Sequence, residues 1–271
     1  MNGTIIRKAA WDSKWLLLTC CSVIILFEVL ITHALATLAP ELIRLWSSIE
    51  FLKGLFKFTF HIDLSGNISA VTLLAIGAAH PFMFAVSWGY IITVGTRVPV
   101  GEIDRGTADL LFALPTSRSS IFLSNSAVLM VQIVLLAGSV VLGLWIGSMT
   151  VDLGAPFPLW RFTLAAVNFG MLLFAICGAT YLASCSLSRR SIAIGLVVSL
   201  LLASFLINVM EAFLPFVRNI GFLGLLSYHR PAELIRTGAF PATDIFVLFC
   251  IGVGCWGVGL WRFAQRDVPT A

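Results

Sequence analysis

Apolar residues run almost unbroken through six stretches of this chain, 15–38, 70–94, 121–147, 160–185, 192–214 and 245–263, and polar residues gather between them. Each stretch reaches the ~20 residues that an α-helix needs to cross ~30 Å of hydrocarbon. The pattern predicts six transmembrane helices. Ala34-Leu35-Ala36, near the end of the first stretch, has the small-residue spacing of a signal-cleavage site. That stretch is too long for a signal peptide, however, and carries Glu28 at mid-depth, which fits a retained span.

The segments between the spans have their own periodicity. Residues 4–14 mix Ile5, Ile6 and Trp11 with Arg7, Lys8 and Lys14, the pattern of a short amphipathic helix lying on a charged membrane face. Over 41–58, Leu42, Leu45, Ile49, Leu52 and Phe56 recur at steps of three and four while Arg44, Ser48, Glu50, Lys53 and Lys57 fill much of the rest, predicting a second interfacial helix. The second span contains His80-Pro81, and Pro81 cannot donate to the helical ladder, so a kink is expected there. From 213 to 243, Pro215, Gly221, Gly224, Pro231, Gly238 and Pro241 cut the chain into pieces too short to span.

Composition agrees with lipid as the main solvent. Hydrophobic residues make up 59% of the 271 and charged residues only 11%, against roughly a quarter charged in soluble domains, and the mean hydropathy is +1.00. The fold class expected is therefore an all-α integral membrane protein forming one domain over 1–271, with no internal repeat. The net charge of +4 is dispersed through loops and forms no basic stripe, which argues against nucleic acid as a partner. Six cysteines and four histidines show no ligand spacing, so neither a disulfide framework nor a metal site is expected. Trp11, Trp15, Trp160 and Trp261 stand at span ends as interface anchors. With the N-terminus inside, Arg7, Lys8, Lys14, Arg97, Arg105, Arg118, Arg189, Arg190, Arg262 and Arg266 fall in short inner segments. The positive-inside rule thus favours two cytoplasmic termini.

The connection between the second and third spans is too organised for a simple link. From 102 to 114, Ile103, Leu110, Leu111 and Leu114 define one helical face, Glu102, Asp104, Arg105 and Asp109 lie elsewhere, and Pro115 ends the pattern. A helix of this kind, parallel to the membrane, can dock on a cytoplasmic partner and pass a rigid-body push to two spans. The plainer reading is a surface helix that only closes a loop.

Glu102, Gly106-Thr107, Leu110-Leu111, Pro115 and Arg118 stand in the order of the signature of type-2 ABC transporter permeases, which this chain resembles. The resemblance implies a cytoplasmic coupling helix that contacts a separate ATP-binding subunit. Glu102, Asp104, Arg105, Gly106, Thr107, Leu111, Pro115 and Arg118 are its candidate residues: Glu102 and Asp104 would meet polar or basic groups of the ATPase, Gly106 would allow close backbone approach, and Arg118 would anchor the third span. It also implies an N-terminal interfacial helix, an outer re-entrant segment before the last span around Leu226-Ser227-Tyr228-His229-Arg230-Pro231, location in the cell (inner) membrane, and pairing with a second copy or a related permease. Ala9-Ala10 departs from the family, many of whose members have a glutamate and a basic residue there, so that contact is expected to be weaker or absent.

No G-x-x-x-x-G-K-[ST] occurs, so this chain is expected to bind no cofactor and hydrolyse no ATP itself, ATP-Mg residing on the partner subunit. No hydrolase motif or acid/base constellation marks an enzyme. Glu28 and Glu211 are the carboxylates of the membrane region, and each must be protonated, paired or wet. Glu28 and His80 are candidate pathway residues, although His80 can equally bond a carbonyl freed by the Pro81 kink. Two rivals remain. An ion-coupled secondary transporter would use Glu28 but should show inverted repeats, and a membrane scaffold or immunity-type protein would bind a partner through 102–118 without transporting.

Overall fold

The computed structural model describes residues 1–51, 70–109, 113, 115–154, 156–211 and 213–266. Among these there is no strand, and six helices are long and apolar enough to cross a membrane. This is a multi-pass helical membrane protein. In chain order the helices are α1 (Gly3–Ser48), α2 (Ala70–Leu73), α3 (Ala75–Ala78), α4 (Pro81–Gly95), α5 (Val100–Asp104), α6 (Arg118–Ser148), α7 (Leu159–Ser186) and α8 (Arg190–Met210). Two 3₁₀-helices (Pro215–Leu223, Leu225–Tyr228) follow, then α9 (Pro231–Thr237) and α10 (Ala242–Gln265).

The first element differs from expectation. Residues 4–14 are not a separate surface helix but the opening turns of α1, which continues through the first span and past Pro40 to Ser48. Tertiary contacts hold its start in line. Asn2 caps it by accepting from the Thr4 and Ile5 N–H groups, and the Asn2 N–H donates to Ser124 Oγ at 2.9 Å. The Gln132 amide donates to Ser13 Oγ at 2.8 Å inside the α1–α6 interface. At ~1.5 Å per residue α1 is about 70 Å long, more than twice the ~30 Å hydrocarbon thickness. Residues 41–48 of the expected second interfacial helix are its last turns, and 52–58 lie outside the described residues.

The second span breaks more sharply than a kink. Helix α3 stops at Ala78, His80 is extended (φ −70°, ψ 136°), and Pro81 opens α4 at a position where a missing N–H costs nothing.

α7 is the central helix, packed by α4, α6, α8, α9 and α10. Close backbone approach sets its contact with α10. A Cβ on Gly178 would collide with the Gly252 carbonyl oxygen, and one on Gly252 would stand 2.6 Å from the Phe174 ring. The α1–α6 seam is built likewise, from Gly143 against Ile25 and Glu28 and Gly147 against Thr32. Outward faces carry exposed Leu26, Leu30, Val131, Val134, Leu200 and Phe246, as lipid-facing helices should.

The ends of the bundle are tied by backbone caps. Arg266, after α10, donates to Cys185 O, Leu187 O and Ser188 Oγ at 3.1, 2.8 and 2.7 Å, satisfying carbonyls at the end of α7. Arg118 Nη1 donates in turn to the Arg266 carbonyl. With Asn2 bonded to Ser124, the start of α1 and the end of α10 meet at the same end of the bundle.

Candidate functional site

The described part of the connection between α4 and α6 forms a tip at that end, with its outer residues exposed. Helix α5 lasts one turn and a half and closes in a turn at Arg105 and Gly106. A single helix from 102 to 114 is not what forms: Gly106 adopts φ +69°, a left-handed conformation that glycine takes without strain, and the helix stops there. A Cβ on Gly106 would meet nothing within 4 Å, so its backbone conformation and open outer face explain the glycine better than any contact inside the chain.

Glu102, half-buried, ties the turn together. Its carboxylate pairs with Arg105 at 2.6 Å and accepts from Thr107 Oγ1 at 2.5 Å. Asp104, Arg105, Gly106 and Asp109 are exposed, while Val100, Gly101 and Ala108 are buried as the root of the tip. The root is bolted to two further spans. The Val100 N–H donates to Ser184 Oγ of α7 at 3.4 Å, the Asp104 carboxylate accepts the Arg190 N–H at the start of α8 at 3.3 Å, and Gly101 lies so close to Arg190 that a Cβ would be 3.4 Å from its Cδ. Arg190 reaches back to α4, donating to Thr93 O at 2.9 Å and to Thr96 Oγ1 at 3.3 Å. Pro115 is an exposed bend, Ser117 caps α6 by accepting from the Ser120 N–H, and Arg118 is the first residue of α6. Leu110, Leu111 and Leu114 lie outside the described residues.

Beneath the tip is a cavity of about 830 Å³ between α1, α4, α5 and α8, lined in part by Lys8, Asp12, Arg97, Glu102, Arg105 and Arg190.

Glu28 and His80 stand elsewhere, beside the break between α3 and α4. Glu28 is fully buried, and neither carboxyl oxygen has a hydrogen-bond partner among the described residues. Gly77 makes room for it, since a Cβ there would overlap Glu28 Oε2. His80 accepts the Phe82 N–H on Nδ1 at 3.2 Å, which is a helix cap rather than a bond to a freed carbonyl, and its ring lies 5.0 Å from that of Phe27. Neither residue lines the cavity beneath the tip.

At the opposite end, the segment before the last span is in short pieces, as its glycines and prolines predict, and is pinned to the bundle. Asn168 of α7, completely buried, donates to Tyr228 O at 2.9 Å and lies 2.9 Å from His229 Nδ1, whose other nitrogen lies 3.4 Å from Ala78 O. Arg161 donates to Ile235 O and Arg236 O, and Ser204 accepts the Leu226 N–H. Glu211 follows α8 and packs on Gly221; burial raises its carboxyl above the usual range, opposed by Arg230 and Arg218.

No family model matches the chain, and no curated protein matches its sequence. The sequence reading placed Arg97 and Arg190 only among the inner charges, because their grouping depends on tertiary folding, and it passed over Asn168. The last had a visible signal: a lone amide between Val167 and Phe169 in an otherwise apolar span. Among the described residues no group of three or more potential metal ligands comes together.

Proposed function

We propose that this chain is the membrane-spanning permease subunit of an ATP-driven transporter, an exporter of the type-2 ABC class, with the tip from Val100 to Arg118 docking on a separate ATPase. The observation that carries the reading is the mechanical layout of the tip. Its exposed end offers Arg105, Gly106 and Asp109, while its root is fastened to α4, α7 and α8 through Val100, Gly101 and the Asp104 carboxylate. Force applied at the exposed end reaches three spans as a rigid body. A connector that merely closed a loop would need no such fastening. The order of Glu102, Gly106-Thr107, Pro115 and Arg118 supports the same reading from the sequence side.

In this account the tip faces the cytoplasm of the inner membrane with both termini, and ATP-Mg binds only the partner. The short helices before α10 form the outer re-entrant cap, and two permease chains pair to enclose the pathway. Exposed Leu26 and Leu30 on α1 and Leu200 on α8 are available for that pairing.

The test is coupling. Glu102→Arg reverses the charge that holds Arg105 and Thr107, and Gly106→Trp places a large side chain at a left-handed position on the docking face. Each variant should insert normally yet lose the link between ATP hydrolysis and transport. Normal coupling in both would sink the docking model.

A further inference from the structure

The cavity under the tip holds more positive charge than its own acids neutralise. Lys8 pairs with Asp12 at 3.1 Å and Arg105 with Glu102 at 2.6 Å. Arg97 and Arg190 remain, with Asp104, which accepts the Arg190 N–H, as the one further acid beside them, so four cations still exceed three acids. The Arg190 guanidinium donates to two uncharged oxygens, Thr93 O and Thr96 Oγ1, and the Arg97 guanidinium has no hydrogen-bond or ion-pair partner among the described residues. Both arginines are half-buried rather than splayed into solvent.

A second cavity of about 300 Å³ opens at Thr93, which lines both. It runs between α1 and α4 and is bordered by Leu16, Cys20, Val23, Val86 and Tyr90. From Thr93 back to Val86 the groove follows two turns of α4, about 10 Å, toward the middle of the span. Exposed Trp11 and Trp15 flank this level of α1, where an interfacial belt is expected. A soluble anion would use the arginines but gain nothing from the groove. An acidic peptide would have to place its backbone at hydrocarbon depth. A molecule with an anionic head and an apolar tail matches both halves.

We propose that this two-part site binds an anionic phospholipid, its phosphate between Arg97 and Arg190 and one acyl chain in the α1–α4 groove. The inference needs only that the chain is membrane-embedded and stands apart from the permease reading.

The experiment uses the purified full chain in mixed micelles with phosphatidylglycerol, phosphatidylcholine or soluble glycerol phosphate. Two readouts are followed, the melting temperature and the rate at which a bulky maleimide labels Cys20, located by mass spectrometry. Phosphatidylglycerol should raise the melting temperature saturably and protect Cys20, whereas phosphatidylcholine and glycerol phosphate should do neither. Arg97→Gln should weaken the phosphatidylglycerol effect by roughly fivefold, the contribution of one arginine near a charged lipid surface; Arg262→Gln, at the same end but outside the cavity, should leave it intact. Equal effects of the two lipids, an equal effect of glycerol phosphate, or displacement of the lipid by an acidic peptide would overturn the proposal. The Cys20 readout requires no substitution, so a poorly folding Arg97 variant leaves it decisive.

Discussion

Asp104 caps a helix to which it does not belong: its carboxylate accepts the Arg190 N–H, 86 residues away, at 3.3 Å. Arg189, the residue that precedes α8, supplies no side-chain cap of its own. The tip and the fifth span therefore share a hydrogen bond that neither segment could make alone.

Removing that acceptor should loosen the start of α8. Asp104→Ala is expected to cost about 1 kcal/mol, typical of a lost cap, and to speed amide exchange over residues 190–193. Asp104→Asn keeps an acceptor oxygen and should change exchange much less. Hydrogen exchange followed by mass spectrometry distinguishes them, and identical exchange in both variants and wild type would show that the bond contributes nothing.

The setting of Glu28 makes a second, sharper prediction. Gly77→Ala should destabilise by about 1–3 kcal/mol because its Cβ collides with Glu28 Oε2. Glu28→Ala removes the colliding carboxyl, so the double variant should be more stable than the sum of the single effects predicts. Gly143→Ala should show no such relief: its Cβ would stand 2.7 Å from Glu28 Cβ, which alanine retains, and 2.8 Å from the Ile25 carbonyl. Melting temperatures of the five variants in one detergent test the pattern.

A third prediction concerns the opposite end. Asn168→Leu leaves Tyr228 O and His229 Nδ1 without the amide that joins them. Enclosed polar groups stripped of partners cost about 1–3 kcal/mol, and the 3₁₀-helices should detach more often. Trypsin cleavage after Arg218, Arg230 and Arg236 should then accelerate in the folded protein. Unchanged cleavage would mean the other fastenings, including Arg161 to Ile235 O, suffice.

The six spans were legible because apolar run length is a one-dimensional property, and so was the position of the disturbance at Pro81, whose missing donor acts locally, although it is a break between two helices where a kink was expected. The continuity of α1 was not. Arg7, Lys8 and Lys14 suggest a boundary before the first span, but α6 supplies Ser124 and Gln132 as partners that hold the opening turns of the helix to the bundle. The helix expected over 102–114 failed at Gly106, a residue read for close approach when its left-handed conformation mattered. The end of the fifth span was placed four residues too late because Phe213 and Leu214 are apolar yet lie beyond the helix end at Met210. The Arg97–Arg190 pair and the Asn168–His229 contact join residues 93 and 61 positions apart, and no periodicity reports on such distances.

The docking account rests on a partner, and the most direct measurement is to find it. The chain, tagged at its C-terminus, would be solubilised gently from its native membrane and its companions identified by mass spectrometry, alongside Glu102→Arg. The account predicts a stoichiometric protein with a phosphate-binding P-loop, present with the wild type and lost with the variant. Repeated purification of the intact chain without such a protein would contradict it and turn attention to Glu28 as the core of a self-contained transporter.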